Sequence, residues 1–127
     1  MKLRIRGNSV RLRLTRGEIA TLDRDGELSD TTRFGPNATL SYRVRLNDDA
    51  DHITARLSGS DIAVDLPGAA ARRWCESDEV GIGATLDTGD GSSLGVLVEK
   101  DFACLSPREG EDESDMFPHP EAGAKTC

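Results

Sequence analysis

Arginine is the residue through which this chain could do chemistry. Arg4, Arg6, Arg11 and Arg13 stand at alternate positions on the two sides of Gly7-Asn8-Ser9, and Arg43 and Arg45 repeat the spacing further on. A guanidinium stays charged at physiological pH and offers a planar fork of N–H donors that fits carboxylate and phosphate oxygens. Rows of such groups suit the holding of an anion. They do not by themselves break a bond, and no activated nucleophile or acid–base pair accompanies them in the sequence. No catalytic residue is expected.

The elements that must present these arginines follow from a period of two. In residues 1–14 the apolar Leu3, Ile5, Val10, Leu12 and Leu14 alternate with Lys2, Arg4, Arg6, Arg11 and Arg13. Successive side chains of a strand point to opposite faces, so the pattern predicts two half-buried strands with a cationic outer side. Like charges opposite one another across a strand pair are destabilising by a few tenths of a kcal/mol each. Either interleaved carboxylates and solvent offset them, with the aliphatic stems lying on the sheet, or an anionic partner does. That partner would be a small molecule, an acidic protein segment or another part of this chain.

Thr15 with Glu18 three residues later makes a capping box, Ile19 and Leu22 an apolar stripe, and Gly26 a stop, which predicts a short helix. Strands are expected around Thr31–Phe34 and over Thr39–Leu46, His52–Leu57 and Asp61–Leu66, with Leu40, Tyr42, Val44 and Leu46 opposite Ser41, Arg43 and Arg45. Pro67 opens a second helix reaching Trp74 or Cys75. Two last strands, Val80–Leu86 and Leu94–Phe102, flank a loop rich in turn formers. The order is ββ-α-ββββ-α-ββ, with no sequence repeat beyond this loose symmetry. The fold class expected is mainly β (α+β), an antiparallel meander sheet or small barrel of about eight strands with two short helices.

At 127 residues the chain suits one domain, expected over residues 1–105, followed by an acidic, proline-containing tail over 106–127. Residues 1–74 carry thirteen Lys and Arg against ten Asp and Glu, whereas residues 75–127 carry three against thirteen. An acidic balance of this kind makes nucleic acid an unfavourable partner. No apolar run is long enough to span a bilayer, the opening residues alternate charge with hydrophobe where a signal peptide would be continuously apolar, and Cys75, Cys104 and Cys127 lack the spacing of a disulfide framework. A cytoplasmic setting with reduced thiols and no membrane association is expected. The oligomeric state is open.

The tail contains Glu111-Asp112-Glu113-Ser114-Asp115 followed by Met116-Phe117-Pro118. An apolar anchor beside charge is how a linear segment docks on a matching patch. Glu111, Asp112, Glu113 and Asp115 are therefore expected to approach the ladder arginines, with Phe117 seated in a groove. The spacing does not fit a calcium loop. His52, His119 and the three cysteines lack the paired ligands of a zinc site, and Gly81-Ile82-Gly83 and Gly89-Asp90-Gly91 do not sit between a strand and a helix as a phosphate-cradling loop would. No metal and no cofactor is expected.

Residues 2–14, with Glu99-Lys100-Asp101-Phe102-Ala103-Cys104-Leu105 and the Glu111–Pro120 run, resemble a family of short bacterial proteins that has no assigned activity. The resemblance covers nearly the whole chain and implies a bacterial cytoplasmic setting. The chain is also similar, more distantly, to triphosphate tunnel metalloenzymes, closed antiparallel barrels whose charged interior grips a polyphosphate. Their first strand carries alternating glutamates and a lysine where this one has Lys2, Arg4 and Arg6. That likeness implies anion binding by Arg4, Arg6, Arg11, Arg13, Arg43 and Arg45. The function expected is a non-enzymatic module that binds an anion or an acidic segment through an arginine-bearing sheet face. The alternatives are a triphosphate-processing barrel enzyme and a protein-interaction or oligomeric scaffold.

Overall fold

The computed structural model describes residues 1–102, Asp115 and Phe117. The first hairpin is β1 (Lys2–Arg6) and β2 (Ser9–Leu14), turned at Gly7, whose φ of 54° lies in the left-handed region that favours glycine. Helix α1 (Arg16–Asp25) follows, with the capping box between Thr15 and Glu18 formed and Gly26 closing its C-terminus. Next come β3 (Glu27–Gly35), β4 (Ala38–Asn47), β5 (Thr54–Ser58) and β6 (Asp61–Pro67). Helix α2 (Gly68–Glu76), β7 (Gly81–Asp87) and β8 (Ser93–Lys100) complete the domain.

The mainly β class, the eight strands and the two helices stand as expected. The connectivity differs. The strands form two sheets, ordered β1-β2-β8-β7 and β3-β4-β6-β5, and they do not close into a barrel. Each sheet is two antiparallel hairpins joined through a parallel central pair, β2 with β8 and β4 with β6. A meander would place β5 next to β4, but the loop after Asn47 carries the chain past one strand position so that β6 enters between them. Two strand spacings are only about 10 Å, which six loop residues cross easily. No local pattern distinguishes the two routes.

Leu12, Leu14, Val96 and Val98 of the first sheet, Tyr42, Val44, Leu46, Val64 and Leu66 of the second, and Ile19, Leu22, Ala71 and Trp74 of the helices form one apolar core. The charged interior of a tunnel is therefore not formed. Two residues assigned to the inner face stay outside it: Ile5 is 60% exposed and Leu57 70%. Each lies beside its glycine turn, where the hairpin tip projects past the shared core. No helix of the described residues is long and apolar enough to cross a membrane. The expected domain boundary after residue 105 lies outside the described residues.

The topology reveals a duplication. The element order β1-β2-α1-β3-β4 recurs as β5-β6-α2-β7-β8, and exchanging the two units carries the strand order of each sheet into that of the other. The correspondence extends to two pairs of backbone hydrogen bonds outside the strand ladders. Gly95 N donates to Asn8 O as Ser41 N donates to Ser60 O, and Lys100 N donates to Val80 O as Leu46 N donates to Gly26 O. Gly7 matches Gly59, Leu14 matches Leu66, Leu22 matches Trp74 and Val44 matches Val98. The repeat went unread because these identities are few and two extra residues after α2 shift the register.

Candidate functional site

The hairpin β1–β2 sets Arg4 directly opposite Arg11 and Lys2 opposite Arg13. All four face away from the core, because the intervening Leu12 and Leu14 are fully buried. Among the described residues, counter-charge reaches only one end of this ladder. Glu99 on β8 accepts from Arg13 Nε at 2.8 Å and lies 3.5 Å from Arg11 Nε, and Asp101 lies 3.2 Å from Lys2 Nζ. Toward the turn the compensation stops: among the described residues Arg4 and Arg6 have no partner. Arg4, Arg6, Ser9 and Arg11 there line a pocket of about 160 Å³. It opens beside a shallow groove of about 450 Å³ over β2, β8 and β7, lined by Arg11, Ser9, Gly83, Thr85, Gly95 and Leu97 among others.

Arg43 and Arg45 are not part of this face. They lie on β4, in the other sheet, on the far side of the common core. Their charges are met locally. Arg43 donates to Asp61 at 2.5 Å and stands 3.6 Å from Glu27, while Arg45 donates to Asp65 at 2.7 Å. The bond to Asp65 holds the Arg45 guanidinium above its ordinary pKa. Alternation placed all six arginines on outer faces correctly; it could not say that the faces belong to different sheets.

The duplication makes one face the control for the other. The Arg13–Glu99 bridge occupies the same place as the Asp65–Arg45 bridge with its two ends exchanged. Asp61, Arg43 and Glu27 of the second sheet correspond to Ser9, Leu97 and Gly81 of the first, and buried Ala63 corresponds to Arg11. Along β4 and β6 the second sheet thus pairs its charges where the first carries a cation and an open floor, although Arg56, the counterpart of Arg4, and Arg33 have no ion-pair partner among the described residues.

The tail residues meet the domain elsewhere. Asp115 sits at the N-terminus of α1, not on the ladder. Its backbone carbonyl accepts from Arg16 N at 2.8 Å and its carboxylate from Gly17 N at 3.0 and 3.1 Å. Together with the Thr15 hydroxyl, which accepts from Glu18 N, it satisfies three of the free amides of the helix start, where negative charge is favourable. Phe117 N donates to Asp101 O, and its ring packs 5.6 Å from that of Phe102 with Lys100 Nζ 5.4 Å above it. Glu111, Asp112 and Glu113 lie outside the described residues.

Lys100 and Asp101, each 4% exposed, were not singled out from the sequence. The signal was present: Val96, Val98 and Lys100 share one parity, so a lysine occupies a core position. It donates to the carbonyl of Ser77, the C-cap of α2, at 2.5 Å and lies 5.9 Å from the Trp74 ring. A cation is favourable at a helix C-terminus and over an aromatic face, and this one ties the last strand to the second helix. Cys75, half-buried next to Trp74, has its thiol pushed up from 9.0 to about 11, chiefly by burial and next by Asp23. It is a packing residue. Among the described residues no three His, Cys, Asp or Glu side chains converge to hold a metal.

These features define a duplicated two-sheet α+β domain with a partly uncompensated arginine face. The chain belongs to a family of unknown function, DUF7009, whose model matches residues 1–121. No curated protein and no solved structure matches it.

Proposed function

We propose that the protein is a non-enzymatic anion-binding module, and that its site is the outer face of the first sheet near the Gly7 turn. One observation carries the reading: Arg4 and Arg6 lack a counter-charge among the described residues and share a pocket with Arg11 and Ser9, whereas Arg43 and Arg45 of the opposite face are paired and the exposed Arg56, the counterpart of Arg4, lines none of the pockets described. A sheet that retains like charges opposite one another bears a cost. A bound anion removes it through charge-assisted, directional bonds to guanidinium. Arg13 belongs to the site's border, held by Glu99, and Arg43 and Arg45 serve the stability of the second sheet.

Thermal shift with inorganic phosphate, pyrophosphate and a polyglutamate peptide tests this. Ligand at a hundred times its Kd stabilises by about 2.7 kcal/mol, roughly 10 °C for a domain of this size. The shift should vanish in the Arg4→Ala/Arg6→Ala double variant and persist in Arg43→Ala/Arg45→Ala. An equal loss in both variants, or no shift with any of the anions, overturns the reading.

A further inference from the structure

We infer that the anion held by Arg4, Arg6 and Arg11 is the phosphate of a phosphomonoester whose uncharged, flat body lies in the groove over Gly83 and Gly95. This deepens the proposed function and rests on it. The charge is unevenly placed. The pocket of about 160 Å³ gathers Arg4, Arg6 and Arg11 at one end, beside Ser9, whose hydroxyl donates to Arg6 O at 2.7 Å, while the groove of about 450 Å³ that continues from Ser9 and Arg11 has no other charged side chain in its lining among the described residues. An extended polyanion, whether polyphosphate or acidic peptide, calls for cations along its length. A compact anionic head with a neutral body calls for the distribution found.

The floor has the matching shape. Gly95 presents bare backbone on β8, the Leu97 side chain lies over Gly83 on the adjacent strand, with its Cδ1 3.1 Å from where a Gly83 Cβ would stand, and Thr85 and Arg11 flank the floor, Arg11 at the junction of pocket and groove. Arginine stacks on aromatic faces as well as binding phosphate, so Arg11 can serve head and body together. Packing explains only one of the two glycines. A Cβ on Gly83 would stand 2.8 Å from Val96 O, so the sheet itself requires glycine there. A Cβ on Gly95 would meet nothing closer than Ser9 Cβ at 3.4 Å, an ordinary contact, and its φ is unexceptional. The duplicated face carries Ser41 at that place. Gly95 is free to be larger, and its smallness keeps the floor open.

The test is calorimetric titration of the full chain with adenosine 5′-monophosphate, ribose 5-phosphate, inorganic phosphate and adenosine. Adenosine monophosphate should bind at least tenfold more tightly than phosphate or ribose 5-phosphate, and adenosine alone at least tenfold more weakly than the monophosphate. Gly95→Ala should abolish the advantage over phosphate without weakening phosphate itself, and Arg4→Ala/Arg6→Ala should weaken both at least tenfold. Backbone amide shifts at Gly83 and Gly95, induced by the nucleotide and not by phosphate, provide a readout independent of any variant. If phosphate and ribose 5-phosphate bind as tightly as the nucleotide, or polyglutamate binds more tightly than all three, this inference is overturned and anion binding stands. If none of the probes binds, both readings fall.

Discussion

Glu99 decides how many of the N-terminal arginines remain available, because one carboxylate faces Arg13 at 2.8 Å and Arg11 at 3.5 Å. Removing it by Glu99→Gln should raise the affinity for phosphate severalfold, as Arg11 turns to the pocket. Titration of the variant against the parent checks this, and an unchanged affinity would mean that Glu99 does not compete for Arg11. Cys75 gives a prediction in pH. Its folded pKa is raised from 9.0 to about 11, so the thiol form is favoured by folding. The associated stability is complete below the unfolded value and is lost as pH rises from about 9 through about 11. In a Cys104→Ser/Cys127→Ser background, alkylation of Cys75 at pH 8.5 should be at least tenfold slower native than in urea, and should accelerate up to pH 11. Lys100 is buried against Trp74 and bonded to Ser77 O. Lys100→Met leaves that carbonyl without its donor and should cost roughly 1–3 kcal/mol in urea denaturation.

At the scale of elements, the start of α1 depends on residues from two distant parts of the chain. Thr15 was legible as a cap from the spacing of Thr and Glu; Asp115, which binds Arg16 N and Gly17 N, was not, because its contact spans nearly the whole sequence. Thr15→Ala should cost about 1 kcal/mol, the usual loss for an N-cap hydroxyl. Phe117 packs on Phe102 and the core, and Phe117→Ala should cost about 1–2 kcal/mol, below the value for a fully buried ring because its own is half-buried. Chemical denaturation measures both. The cost of Phe117→Ala should be nearly independent of salt, which separates an apolar anchor from the screened pairing of tail carboxylates with arginines.

For the whole molecule, the duplication constrains how it can fold. Each half contributes one hairpin to each sheet, so neither half owns a sheet or a core. Peptides 1–50 and 51–127 should each lack stable structure alone and regain the sheet signature in circular dichroism when mixed in equal amounts. A half that folds cooperatively by itself would contradict this arrangement. The same duplication separates what the two halves share from what differs between them. Features shared by both halves, such as Gly7 with Gly59 and Leu14 with Leu66, build the fold, whereas Arg11 against Ala63 and Ser9 against Asp61 are where the two outer faces differ in charge.

By itself the sequence determined the local elements: the strands through their period of two, α1 through its capping box, and the outward aim of every ladder arginine. These depend on side-chain direction and neighbouring residues, which a few positions of chain encode. Only the tertiary structure decided that β6 enters between β4 and β5, that Arg43 and Arg45 belong to the opposite face, and that Glu99 reaches Arg13 while nothing among the described residues reaches Arg4. Those outcomes depend on which strands become neighbours. Neighbour choice is set by the burial of one shared core across long sequence separations, and an alternating strand is equally ready to pair on either edge.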